Sequence, residues 1–105
     1  MRILFDQGVP LPLRRSFSGH VVITAWQRGW SELSNGELLA AADADGFELL
    51  VTTDQNLRYQ QNLRARRFAV LVLMVANWPA LQPHQVAIAA IGLSMKSGEY
   101  REWSS

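Results

Sequence analysis

The chain has no cysteine. That excludes disulfide stapling and thiolate metal sites, and it fits a reducing compartment. It also lacks an excess of either charge: ten Lys and Arg stand against nine Asp and Glu, for a net charge of +1. No global field steers a partner, so any nucleic-acid surface has to be a local patch. No run approaches the roughly 18 apolar residues of a spanning helix, so no membrane partner is expected. Met1 leads straight into an apolar stretch with no basic segment or cleavage site, which points to a cytoplasmic chain without a signal peptide. There is no Gly-rich phosphate loop, no G-x-S-x-G and no thiol nucleophile, which argues against P-loop nucleotide hydrolysis and triad acyl transfer. A receiver-like phosphoryl-transfer domain would want a Lys after a late strand, and the only lysine, Lys96, falls in the last helix.

What remains is 105 residues, 49% of them apolar, enough for one core and one domain over 1–105. Arg2 to Phe5 is a short apolar run of the kind that forms a strand covered on both faces. Pro10 opens a helix with Leu11, Leu13 and Phe17 on its buried side. His20 to Thr24 reads as the second strand, and Ala25 to Leu33 as a turn or short helix. Ser34 and Glu37 have capping-box spacing at the start of a helix that Asp45-Gly46 stops. Phe47 to Thr53 is the third strand, Asp54 to Arg67 a polar helix, and Phe68 to Val75 the fourth strand. Ala76 to Pro79 is a loop and Pro83 to Lys96 the last helix. Glu99 to Ser105 is a tail, loose or docked through Tyr100 and Trp103.

This alternation predicts a three-layer α/β/α sandwich with a mainly parallel, four-stranded sheet. Right-handed crossovers restrict the order, and 2-1-3-4 sets strand one beside strand three. Their carboxyl ends then flank a switch point, the place where open α/β sheets bind ligands. Asp6 and Asp54 fall at those ends, each followed by Gln and a turn. Neighbouring carboxylates repel unless a cation neutralises them, and a hard divalent ion, Mg²⁺ or Mn²⁺, suits oxygen ligands. Helix capping is the competing role for Asp6 and Asp54, and the stronger one for Glu37. Asn56 and Gln55 can reach a bound water or a phosphate, or simply form a first helical turn. Arg58, Arg64, Arg66 and Arg67, with Tyr59 among them, make the one clear basic cluster. Arginine forks suit phosphate oxygens, while a solvated helix face is the plainer role. Of the four Trp, Trp26 and Trp30 are expected to pack under the helix that starts near Ser34, and Trp78 and Trp103 to be partly exposed. His20 and His84 lack ligand spacing.

Ile3 to Pro10, Asn35 to Leu39 and Leu50 to Leu57, in that order and spacing, resemble small bacterial PIN-like proteins, some of them toxins of VapC type. The resemblance runs from Met1 to about Val75. It implies a PIN-like fold and a metal-dependent endoribonuclease, the toxin-like component of a toxin–antitoxin pair. It raises Glu37 to a third acidic candidate beside Asp6 and Asp54, as catalytic and metal-binding residues. Asn56, Arg58, Arg64, Arg66 and Arg67 then become candidates for contact with RNA. The implied partners are RNA and a cognate antitoxin protein, with a second copy of the chain as a further candidate. Two positions depart from the family: Gly8 replaces an Asn of the first motif, and Asn56 stands where a second acid often follows the later Asp. The alternative is a catalytically degenerate PIN-like module that binds RNA or protein.

Overall fold

A computed structural model describes residues 1–60 and 62–105. The apolar runs form the strands β1 (Arg2–Phe5), β2 (Val21–Thr24), β3 (Leu49–Thr52) and β4 (Ala69–Leu73). A fifth strand, β5 (Tyr100–Trp103), joins them in a sheet of order β2-β1-β3-β4-β5 with every pairing parallel. The expected order of four is therefore right, and the strand count is not. Residues 99–105 do not form a tail; most of them form an edge strand. Tyr100 packs toward one side of the sheet, and Trp103 toward the other, where its ring centroid lies 5.3 Å from that of His84.

Alternate residues of each strand feed two separate cores. Ile3, Phe5, Leu49, Val51 and Leu71 point to one face, where the 3₁₀ turn Leu11–Phe17 and the helices α2 (Trp78–Leu81) and α3 (Gln85–Ser94) cover them. Leu4, Leu50, Val70 and Val72 point to the other, beneath α1 (Asn35–Ala44) and Leu57. A sheet buried on both faces explains why its central strands carry almost no polar residue. The expected capping box is present: Ser34 Oγ accepts from the Glu37 N–H at 3.3 Å, and Glu37 Oε1 accepts from the Ser34 N–H at 2.9 Å.

Two expected helices take another form. The helix expected to open at Pro10 winds as 3₁₀ over Leu11–Phe17 rather than as α. Asp54–Arg67 breaks into the short 3₁₀ pieces Gln55–Tyr59 and Leu63–Ala65, with Asn62 left-handed at φ 65° between them. Its two core-facing leucines, Leu57 buried and Leu63 partly buried, explain the break. Leu57 and Leu63 stand six residues apart, about 240° around an α-helix, so no single stripe exists to hold a helix on the sheet.

One connection departs from the usual topology. The β1–β2 and β4–β5 links cross the same face of the sheet but step toward opposite edges. They must therefore be of opposite hand. The β2–β3 and β3–β4 links cross the other face toward β5 and share the hand of β1–β2. Right-handed crossovers are the strong rule, which makes the long α2–α3 link the left-handed exception. As a result no α-helix among the described residues covers β5 on the α1 side. A groove of about 940 Å³ opens there, lined by Arg58, Asn62, Arg64, Ser97, Gly98 and Tyr100. Gly98 has φ 85°, and a Cβ on it would lie 2.5 Å from the Arg64 carbonyl oxygen, so no larger residue fits that turn.

Candidate functional site

The carboxyl ends of β1 and β3 are adjacent, with Phe5 in register with Val51. Asp6 follows β1 and donates its backbone N–H to the Val51 carbonyl at 2.9 Å, which keeps it on the sheet. Thr52 ends β3 and is fully buried, the only polar residue of the core among those described. A buried hydroxyl needs partners, and Thr52 has two. It donates to Asp6 Oδ2 at 2.8 Å and accepts the Asp54 N–H at 3.0 Å. One side chain thus ties the two aspartates together. Each carboxylate also has a local partner. Asp6 Oδ1 accepts from the Gln7 N–H at 2.8 Å, and Asp54 Oδ1 accepts from the Asn56 N–H at 2.9 Å, capping the 3₁₀ turn.

Gly8 belongs to the same arrangement. A Cβ at this position would overlap the Thr53 hydroxyl. The loop after β1 therefore runs against Thr53 at the end of β3, and a side chain at position 8 would force the Thr53 side chain or the loop to shift.

The structure brings Asp6 and Asp54 onto adjacent strand ends and leaves Glu37 in its capping box. No group of three His, Asp or Glu close enough to hold a metal occurs among the described residues. Glu37 is exposed; the Ser34 backbone N–H, and then its hydroxyl, hold its carboxyl below the usual glutamate value. Two carboxylates still fit a magnesium-type ion. Mg²⁺ keeps several waters and is commonly held by one or two carboxylates plus substrate oxygens. Asp6 Oδ1, Asp6 Oδ2 and Asp54 Oδ1 each hold one hydrogen bond and can accept more.

The basic cluster divides in two. Arg66 and Arg67 bind Asp43 of α1, at 3.3 and 3.5 Å, and the Arg67 N–H adds a bond to Asp43 Oδ1 at 3.1 Å. Burial pushes the Asp43 carboxyl up, but these hydrogen bonds and the two arginine charges outweigh it and hold the carboxyl low. This pair fastens the approach to β4 onto α1. Arg58 and Arg64 line the groove beside β5 instead. Arg58 donates to the Tyr59 hydroxyl at 2.7 Å and lies 4.8 Å from that ring's centroid. Asn56 is exposed next to Asp54.

Residue-type reasoning singled out both aspartates and missed Thr52. The signal was present: a hydroxyl closing an otherwise apolar strand, two residues before the acid. Of the tryptophans, Trp30 packs on Phe47 as expected, with ring centroids 6.1 Å apart. Trp26 does not pack and is 77% exposed. No helix among the described residues is long and apolar enough to cross a membrane. No protein-family model matches the chain, and no curated protein or solved structure matches it significantly.

Proposed function

We propose that the chain is a PIN-like, Mg²⁺- or Mn²⁺-dependent endoribonuclease that acts in the cytoplasm as the toxin-like half of a toxin–antitoxin pair. The observation that carries this reading is the pairing of Asp6 and Asp54 across the β1–β3 switch point, joined through the Thr52 hydroxyl. An ion held by these two carboxylates would supply charge neutralisation and water activation for phosphodiester cleavage. The chain's own residues do the rest. Thr52 and the Gln7 N–H fix the orientation of the Asp6 carboxylate. Asn56, next to Asp54, would orient a water or a phosphate oxygen. Arg58, followed by Arg64 along the groove, would hold the RNA backbone away from the reacting bond. Arg66 and Arg67 serve the fold first, through Asp43.

The test is Mn²⁺-dependent cleavage of a single-stranded RNA by wild type and by Asp6→Asn. Cleavage by the wild type and its loss in the variant is the expected result. Equal cleavage by both would mean a contaminant and would end the proposal.

A second reading is a degenerate PIN-like module that binds RNA or protein without cutting. The engagement of Glu37 with Ser34 favours it, because the third acid of the family pattern is committed to a helix cap. It predicts no metal-dependent cleavage, unchanged RNA binding in Asp6→Asn, and loss of binding when Arg58 and Arg64 are both replaced by Ala.

A further inference from the structure

Trp26 is the most exposed of the large apolar side chains, at 77%. A single exposed apolar side chain is ordinary on a protein surface; what sets Trp26 apart is the fixed turn that carries it and its place at the carboxyl edge of the sheet. The backbone beneath it is held on every side. Ala25 is fully buried, and its N–H bonds the Phe5 carbonyl of β1 at 2.8 Å. The Trp30 N–H returns to the Ala25 carbonyl at 2.8 Å, and the Gly29 N–H bonds the Trp26 carbonyl at 3.0 Å. Thr24 and Gln27 exchange side chain-to-backbone bonds at 2.8 and 3.0 Å. Arg28 anchors the far side of the turn to Asp45 at 2.8 Å. The ring stays in water on a turn that these bonds fix.

Its location is specific. β2 pairs with β1 so that Thr24 stands opposite Phe5. The turn that carries Trp26 starts at Ala25, which is bonded to the Phe5 carbonyl one residue before Asp6, so Trp26 and Asp6 lie at the same carboxyl edge of the sheet. Two other exposed large apolar residues, Val21 and Val86, lie at the amino end of β2 and on α3. Tyr59, 68% exposed, lies on the opposite side of the aspartate pair from Trp26, beyond β3.

We infer that Trp26 is a preformed base-stacking subsite, which receives an unpaired base of a single-stranded nucleic acid next to the phosphodiester held at Asp6 and Asp54. The inference rests on the nuclease reading for the position of the phosphodiester. The stacking itself has its own support in a fixed turn and a bare ring. Every base has a π-face, so such a platform tolerates sequence, and a duplex, whose bases are already stacked, cannot use it.

The experiment measures binding of a short single-stranded RNA in EDTA, where no cleavage competes. It follows tryptophan fluorescence and the dissociation constant for wild type, Trp26→Leu, Trp26→Phe and Asp6→Asn, each checked for an unchanged thermal transition. Wild type should show quenching with the single strand and none with a duplex of the same sequence. Trp26→Leu should lose the quenching and bind about 5- to 150-fold more weakly. Trp26→Phe should recover most of the affinity, and Asp6→Asn should keep the quenching. Wild-type affinity in Trp26→Leu, equal quenching by the duplex, or quenching by a protein partner but by no oligonucleotide would each overturn the inference. The nuclease reading fails separately, when Asp6→Asn cleaves RNA as wild type does.

Discussion

Residues 52–54 and residues 34–37 solve the same local problem. In each, an acid and a hydroxyl neighbour satisfy backbone N–H groups where a helical turn begins: Asp54 with Thr52, Glu37 with Ser34. They differ in what lies alongside. The capping box stands on the surface with no second carboxylate in its hydrogen bonds. Thr52 is buried at a strand end, and its hydroxyl reaches across to an aspartate on the neighbouring strand. An acid that caps a turn becomes a site candidate when the fold sets a second acid beside it, and the sheet order does that for Asp54 alone.

The largest effect should separate the two acids. Asp54→Asn should lower Mn²⁺-dependent RNA cleavage by ~100-fold or more, beyond what loss of a supporting residue costs. Glu37→Gln should leave it near the wild-type rate. The reverse order would show that the capping box opens during the reaction and that Glu37 belongs to the site.

Next is Thr52→Val, which keeps the shape and removes the hydroxyl. It leaves Asp6 Oδ2 and the Asp54 N–H without their shared partner, and should cost about 1–3 kcal/mol in urea unfolding. Cleavage should fall roughly 10- to 100-fold, as for lost support of a metal ligand, with Thr52→Ser recovering it. A Thr52→Val protein that is less stable but fully active would reduce Thr52 to a fold residue.

Much of this arrangement was legible in the sequence, because the signals were local. The apolar runs of β1, β3 and β4 and the Ser34–Glu37 spacing each specify their element within a few residues. Crossover rules then placed β1 beside β3. The fifth strand was not legible. Tyr100–Trp103 sets two charged residues between two aromatics, with no alternation over its four positions, and what makes it a strand is pairing with β4 from beyond two helices. The helix expected over Asp54–Arg67 failed because its leucines do not share a face. Thr52 escaped notice because a threonine in a strand is ordinary until the topology supplies Asp6.

Smaller effects test the capping box. Ser34→Ala should cost about 0.5–2 kcal/mol of stability with little change in cleavage. The folded Glu37 carboxyl titrates below its usual value, so its contribution is present above the unfolded glutamate value of about 4.3 and is lost as pH falls through the lower folded one. Acid unfolding of Glu37→Gln should therefore be less steep in that window than that of wild type. A matching pH dependence for the two proteins would mean that the box contributes nothing in solution.

The arginines should show the smallest shifts and the same division of labour. Arg66→Ala loses a half-buried partner of Asp43 and should cost about 1 kcal/mol. Arg64→Ala should change stability by less than about 0.5 kcal/mol while reducing the salt dependence of RNA binding. Equal salt slopes for Arg64→Ala and wild type would remove the groove from the RNA path.

The central claim is that Asp6 and Asp54 form one metal centre. Mn²⁺ titration by calorimetry on wild type, Asp6→Asn and Asp54→Asn tests it directly. One Mn²⁺ bound by the wild type, and lost in both variants while Glu37→Gln retains it, is the expected result. No binding by the wild type, or binding unchanged by either aspartate substitution, would contradict it.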